Sequence, residues 1–179
     1  MPKYVAFLRA INVGGHTVKM DHLRSLFAAM GFSNVETLIA SGNVIFESRS
    51  KSSKTLERTI EGSLLAALGY EVLTFVRSLP ELTAIVNHKP FPAEELNAEG
   101  HALYIGFMAA SPDNAAKQKL MTFATKMDDF HFKERELYWL RRARFGESEL
   151  SGARLEKVLG LPATLRKVTT VRKIAAKYA

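Results

Sequence analysis

The chain has 179 residues, about one domain's worth, with 47% apolar and 24% charged residues, as in ordinary globular proteins. That composition excludes a mostly disordered chain and a collagen-like or low-complexity scaffold, and the longest apolar runs fall far short of the ~18 residues of a membrane helix. Cysteine is absent, which excludes disulfides, thiolate metal sites and a cysteine nucleophile, while lysine plus arginine exceed aspartate plus glutamate by 25 to 18.

Residues 3–10 read as a buried strand. The apolar stretch there is too short for a signal peptide, so the expected location is cytoplasmic. Residues 20–30 read as a helix, with Leu23, Leu26, Phe27 and Met30 on one face and Gly31 as its left-handed stop. Residues 34–40 and 43–48 read as strands joined at Ser41-Gly42, a hairpin signal. A second helix spans 53–68, with Leu56, Ile60, Leu64 and Leu68 four apart. A strand at 70–77 and a short helix at 79–87 complete a βαββαβ order, the ferredoxin-like pattern.

Two prolines and an acidic tail mark 89–100 as a linker. It separates a unit at 1–88 from one at 101–179. The second unit opens with a strand at 101–108, then Ser111 as N-cap with Pro112 at the first helical position. Ala116, Leu120, Phe123 and Met127 line one helical face. Phe130 and Phe132 alternate with polar neighbours as a half-buried strand, and a partner strand follows at Leu137–Leu140. Helices at roughly 150–159 and 165–177 close the chain. No fourth strand is evident in this half, and no residue-level repeat is evident, so duplication rests on element order alone. The expected fold is α+β: tandem ferredoxin-like units, the second diverged with extra C-terminal helices.

Three features bear on chemistry. The loop Asn12-Val13-Gly14-Gly15-His16 precedes a helix, where backbone amides can meet an anion. The plainer reading is a tight loop needing positive φ at its glycines. In a βαββαβ sheet the first and third strands are neighbours, so Arg9, Asn12, Gly14, Gly15 and His16 come near Ser41, Gly42 and Asn43. Two polar loops then meet at one edge and form a candidate ligand site. The competing account is that Asn12 and Asn43 simply brace those loops.

The charge is localised. Residues 1–140 hold 15 basic and 15 acidic residues, whereas 141–179 hold 10 basic and 3 acidic, so the net +7 lies in the last segment. On a terminal helix, Arg166, Lys173 and Lys177 form a stripe opposite Val168, Val171, Ala175 and Tyr178. With Arg141, Arg142 and Arg144 they make a candidate surface for nucleic acid or another polyanion. About 4–6 neutralised phosphates give an expected log–log salt slope of about −4 to −5 on duplex DNA. An acidic protein is a further candidate partner.

No catalytic constellation is visible. The histidines lack metal-ligand spacing, no motif asks for a cofactor, and Asp128 and Asp129 point to opposite faces of a strand. The third strand lacks the basic start and paired aromatics of an RNA-recognition motif.

Leu8-Arg9-Ala10-Ile11-Asn12-Val13-Gly14-Gly15-His16, with Met20, Leu23 and Arg24, and Ser41-Gly42-Asn43-Val44 resemble the hallmark of the bacterial family of domain of unknown function 1697. Gly160-Leu161-Pro162-Ala163-Thr164-Leu165-Arg166, with Thr170, Val171 and Lys173, resembles its closing motif. The family usually has Gly at the position of Ala10, and Asn then Trp at those of Lys167 and Val168. The resemblance implies an α+β fold of two ferredoxin-like parts and supplies no reaction or ligand. It leaves open a binder of an anionic partner or a small-molecule enzyme at the paired loops.

Overall fold

Each half of the chain builds a four-stranded antiparallel sheet from one element order. The computed structural model describes residues 1–12, 15–39, 42–143, 148 and 150–178. The first half runs β1 (Lys3–Leu8), α1 (Met20–Ala29), β2 (Ser33–Thr37), β3 (Asn43–Glu47), α2 (Ser53–Leu68), β4 (Thr74–Ser78) and α3 (Leu79–Asn87). A short helix, α4 (Ala93–Asn97), lies within the proline-bounded segment that reads as a linker. The second half runs β5 (His101–Phe107), α5 (Asn114–Met121), β6 (Asp128–Lys133), β7 (Glu136–Arg142), α6 (Gly152–Leu159), β8 (Thr164–Lys167) and α7 (Val168–Tyr178). The sheet orders are β2-β3-β1-β4 and β6-β7-β5-β8. The chain divides into Met1–Ala84 with Ile174–Ala179, called unit 1, and Ile85–Lys173, called unit 2.

Helices α1 and α2 cover one face of the first sheet. Leu23 and Phe27 of α1, and Leu56, Ile60 and Leu64 of α2, pack on Tyr4, Ala6, Leu8, Val44 and Phe46. Helix α2 begins where Ser52 Oγ accepts the Thr55 amide and ends at Gly69, left-handed at φ 80°. In unit 2, Leu120, Leu155 and Leu159 pack on Met108, Phe130, Leu137 and Trp139.

Three expectations need correction. Residues 164–167 are a strand, not the start of a helix: β8 pairs antiparallel with β5, from Phe107 opposite Thr164 to Tyr104 opposite Lys167. The open backbone edge of β5 is satisfied by this pairing, which outweighs helical periodicity counted across the joint. Helix α5 is capped by Asp113, whose Oδ1 accepts the Ala116 amide at 2.7 Å, and not by Ser111. Pro112 therefore precedes the cap. The second half also has one helix beyond βαββαβ, and α3 is its counterpart in the first half.

The registers reveal a residue-level repeat. Tyr4 lies opposite Phe46 and Ser78, the last residue of β4. Tyr104 lies opposite Trp139 and Lys167, the last residue of β8. Tyr4-Val5-Ala6-Phe7-Leu8 thus matches Tyr104-Ile105-Gly106-Phe107-Met108 position for position. Arg77, opposite Val5, matches Arg166, opposite Ile105. Each arginine donates from Nη1 to the preceding carbonyl, of Val76 or Leu165, at 3.0 Å.

At the end of β1, Ala10 takes a left-handed φ of 55°. A β-carbon there costs roughly 1–2 kcal/mol. Ala10 is exposed, so its methyl packs on nothing that offsets the strain. Ala10→Gly is expected to raise stability by about 1 kcal/mol, read from urea denaturation followed by far-ultraviolet circular dichroism. A lower or unchanged midpoint would show that the turn is not strained.

Candidate functional site

Strands β1 and β3 bring the two hallmark loops together as their order requires. Phe7 pairs with Asn43, and the Leu8 amide donates to Gly42 O at 2.8 Å. The side chains there are spent on the backbone. Asn12 Oδ1 accepts the Val18 amide at 2.7 Å. Asn43 is buried, and its Nδ2 donates to Leu38 O and Ile39 O, both at 3.1 Å. The Arg9 amide donates to Leu73 O at 2.8 Å. Gly15 is left-handed at φ 84°, and the His16 ring stacks on Tyr70 with centroids 3.8 Å apart. Gly14 and Ser41 lie outside the described residues. A shallow groove beside these loops is lined by Gly15, His16, Lys19, His22 and Tyr70. Among the described residues of this groove no carboxylate–histidine pairing suggests a catalytic acid or base.

The cations of the C-terminal region do not form one stripe. Arg166 stands on β8, not on the terminal helix. It is partly buried, donates to Thr164 Oγ1 at 2.8 Å, and burial pulls its pKa down to about 10. Lys177 ion-pairs with Glu36 at 3.6 Å, and Tyr178 donates to the same carboxylate at 2.5 Å. The Tyr178 hydrogen bond, aided by Lys177, holds Glu36 below its ordinary range. Arg142 donates to Glu95 at 2.9 Å and to Asp129 at 3.3 Å. Burial alone would lower its pKa, but these carboxylates hold it above the ordinary value. Lys173 is exposed and carries no ion pair among the described residues. Arg144 lies outside the described residues.

Arg141 differs from the rest. Its guanidinium lies over the Trp139 ring, 5.0 Å from the centroid, and 6.0 Å from that of Tyr104. No carboxylate among the described residues is ion-paired with it. Asp128, opposite Arg141 in the sheet, is buried and occupied: it accepts Trp139 Nε1–H at 2.7 Å and the Ser148 hydroxyl at 2.6 Å. Asp129 faces Arg142 instead, so the adjacent aspartates have separate partners as strand alternation requires. Arg141, Arg142, Tyr104, Met127, Gly100 and Ala102 line a groove of about 430 Å³.

Unit 1 has an opening of about 360 Å³ at the matching position, lined by Met1, Gly31, Phe32, Ser48 and Arg49, but its tyrosine does not line it. The Tyr4–Phe46 pair, with centroids 5.8 Å apart, corresponds to Tyr104–Trp139 at 5.6 Å. Tyr4 is only 4% exposed and its hydroxyl donates to Ser50 O at 2.7 Å. Tyr104 is half-buried and lines the groove. Ser48 occupies the place of Arg141: its amide donates to Pro2 O, just as Arg141 lies opposite Ala102. Sequence reasoning singled out neither Tyr104 nor Trp139. The Tyr-x-x-Phe repeat was the signal available.

A second ring cluster in unit 2 joins His88, His131 and Tyr138. His88 lies 5.1 Å from His131 and 5.0 Å from Tyr138, centroid to centroid. Burial, with Lys133 and His131 nearby, lowers the His88 pKa, which keeps the ring neutral. Among the described residues no group of three metal-ligating side chains occurs, and no helix is long and apolar enough to cross a membrane.

The fold has a solved counterpart in a conserved bacterial protein, SP0830, from Streptococcus pneumoniae. It is 22% identical, with a TM-score of 0.75, over 99% of this chain and 98% of that one. No curated protein matches the sequence. The family described as "Protein of unknown function (DUF1697)" matches residues 1–138, which takes in both hallmark loops and stops just short of Trp139. With that match over most of its length, and with the hallmark residues holding the β1–β3 corner together, the chain belongs to the DUF1697 family.

Proposed function

We propose that the protein binds an anionic partner, nucleic acid, through unit 2, with Arg141 as the principal contact. The observation that carries this reading is the Arg141 guanidinium, set across two aromatic rings at a groove and without an ion-paired carboxylate among the described residues. A cation held beside aromatic faces suits the phosphates and bases of an unpaired strand.

The cations that sequence alone counts as available shrink to few. Arg142 and Lys177 are ion-paired and Arg166 is drawn into the fold, which among the described residues of that set leaves Arg141 and Lys173. Two released counterions give a salt slope of about −1.4 on single strands and about −1.8 on duplex, much flatter than the full count implies. The test is a titration of mixed-sequence single-stranded DNA, RNA and duplex at several salt concentrations. Arg141→Gln is expected to flatten the slope by about one unit. Changing Arg166, Lys173 and Lys177 together to Gln is also expected to remove about one unit rather than three, because only Lys173 is available. Absence of binding at low salt, from folded protein, overturns the reading.

A further inference from the structure

We infer that the unit 2 groove is a site for a nucleoside phosphate, its base against Tyr104 and its phosphate on Arg141. This rests on the reading that the groove takes an anionic ligand, and it names the ligand class.

The groove's make-up suits a single nucleotide unit of such a partner. A long strand is gripped by a row of unpaired cations, each meeting one phosphate. Here Arg142, the other arginine on the wall, is committed to Glu95 and Asp129. Among the described residues, the one guanidinium not ion-paired here fits one phosphate group. A guanidinium stacked on a ring keeps its planar edge of N–H donors for a bidentate contact with phosphate oxygens.

The remaining lining suits a flat ring. Gly100, Ala102 and Ala143 contribute little side-chain bulk, Met127 adds an adaptable apolar wall, and the Tyr104 ring is partly open. The volume of about 430 Å³ is within the usual range for small-ligand sites, roughly 300–1,000 Å³. The nearby carboxylates among the described residues are engaged: Asp128 by Trp139 and Ser148, Glu95 and Asp129 by Arg142.

The duplicated unit provides an internal control. At the same register unit 1 has Ser48 in place of Arg141, and Tyr4 is sealed by its bond to Ser50. A structural need for the aromatic pair is therefore met without an arginine stacked on it and with the tyrosine closed off. Both copies have an opening here, but a tyrosine on its wall and an arginine stacked across the aromatic pair occur in unit 2 only.

Trp139 is the sole tryptophan of the chain, so its emission reports on this site directly. The full chain is titrated with AMP, adenosine, inorganic phosphate, and a short single-stranded DNA with and without a 5′-phosphate. AMP is expected to change the emission saturably, with adenosine and phosphate each at least about tenfold weaker. Arg141→Gln is expected to weaken AMP by roughly tenfold or more, the usual loss of a charged hydrogen bond, and to leave adenosine unchanged. AMP binding at least as tightly as the oligonucleotides supports a free nucleotide as the source. Preference for the 5′-phosphorylated strand over both AMP and the unphosphorylated strand supports a strand end. Inorganic phosphate equal to AMP overturns the inference, because the base then contributes nothing. Oligonucleotide binding by salt titration with silent emission and no AMP response overturns it while leaving nucleic-acid binding intact. No response to any probe, with no binding at low salt, overturns both.

Discussion

Gly42→Ala is expected to destabilise unit 1 by roughly 2–5 kcal/mol, through two terms that act together. The first is backbone strain: Gly42 sits at φ 82°, and a β-carbon in that region costs roughly 1–2 kcal/mol. The second is overpacking. An added β-carbon would lie 2.9 Å from Leu8 Cβ and 3.0 Å from Ile11 Cγ2, both on fully buried side chains. Such crowding costs typically about 1–3 kcal/mol. The corner cannot easily swing away, because the Leu8 amide donates to Gly42 O and Asn43 anchors the next residue to two carbonyls. For a chain of this size each kcal/mol lowers the melting temperature by about 2–4 °C. Circular dichroism is the right probe, since the only tryptophan lies in unit 2 and does not report on this corner. A loss below about 1 kcal/mol would show that the loop yields more than its contacts suggest.

This corner also explains why the family's hallmark is so recognisable and so uninformative about chemistry. Ile11 and Val18 enter the core, Asn12 ties Val18 to the loop, Gly42 admits Leu8, and Asn43 closes β2 to β3. These residue types are demanded by φ angles, close approach and buried carbonyls. They were legible in sequence for the same reason: glycine and asparagine at a turn announce local geometry. The bounds of α2 were legible because Ser52 and Gly69 are local signals too.

What sequence could not show was set by partners distant along the chain. Strand β8 is only four residues long and joins α7 directly, so nothing local separates strand from helix; its identity depends on the open edge of β5. The apparent basic stripe failed for a related reason. Charge can be counted along a sequence, but whether a cation is available depends on Glu36, Glu95 and Asp129, which are remote in sequence. The groove at Tyr104 needs β5 and β7 in one register, and along the sequence Arg141 is one basic residue among ten in the last segment. Its stack on Tyr104 and Trp139 sets it apart from Ser48 at the same register of the first copy.

Glu57→Ala is expected to cost roughly 3 kcal/mol or more, the order of loss when one partner of a buried charged pair is removed. Strand β4 is an edge strand, and its outward amides are capped by carboxylates in succession. Glu61 takes the Thr74 amide at 3.1 Å, Glu57 the Val76 amide at 2.9 Å, and Glu81 the Ser78 amide at 2.7 Å. The spacing follows from geometry: four helical residues rise about 6 Å, close to the ~6.7 Å spanned by two strand residues. Helix α2 therefore lays Glu57 and Glu61 along alternate positions of the edge. Glu57 also faces Arg77 at 4.0 Å, and that arginine's side chain is fully buried. The Ala variant leaves an uncapped amide and removes a charge paired with a buried guanidinium. Glu57→Gln keeps an amide oxygen for Val76, so it should lose about half as much, mainly the charge term. Unit 2 repeats the device where Glu156 of α6 accepts the Ala163 amide at 3.3 Å beside β8. The edge itself becomes a template for strand pairing when uncapped. Light scattering on partly denatured samples should rise for the Ala variant well before the Gln variant. Equal, small losses in the two variants would assign the edge's protection to Glu61 and Glu81 and leave Glu57 a minor contributor.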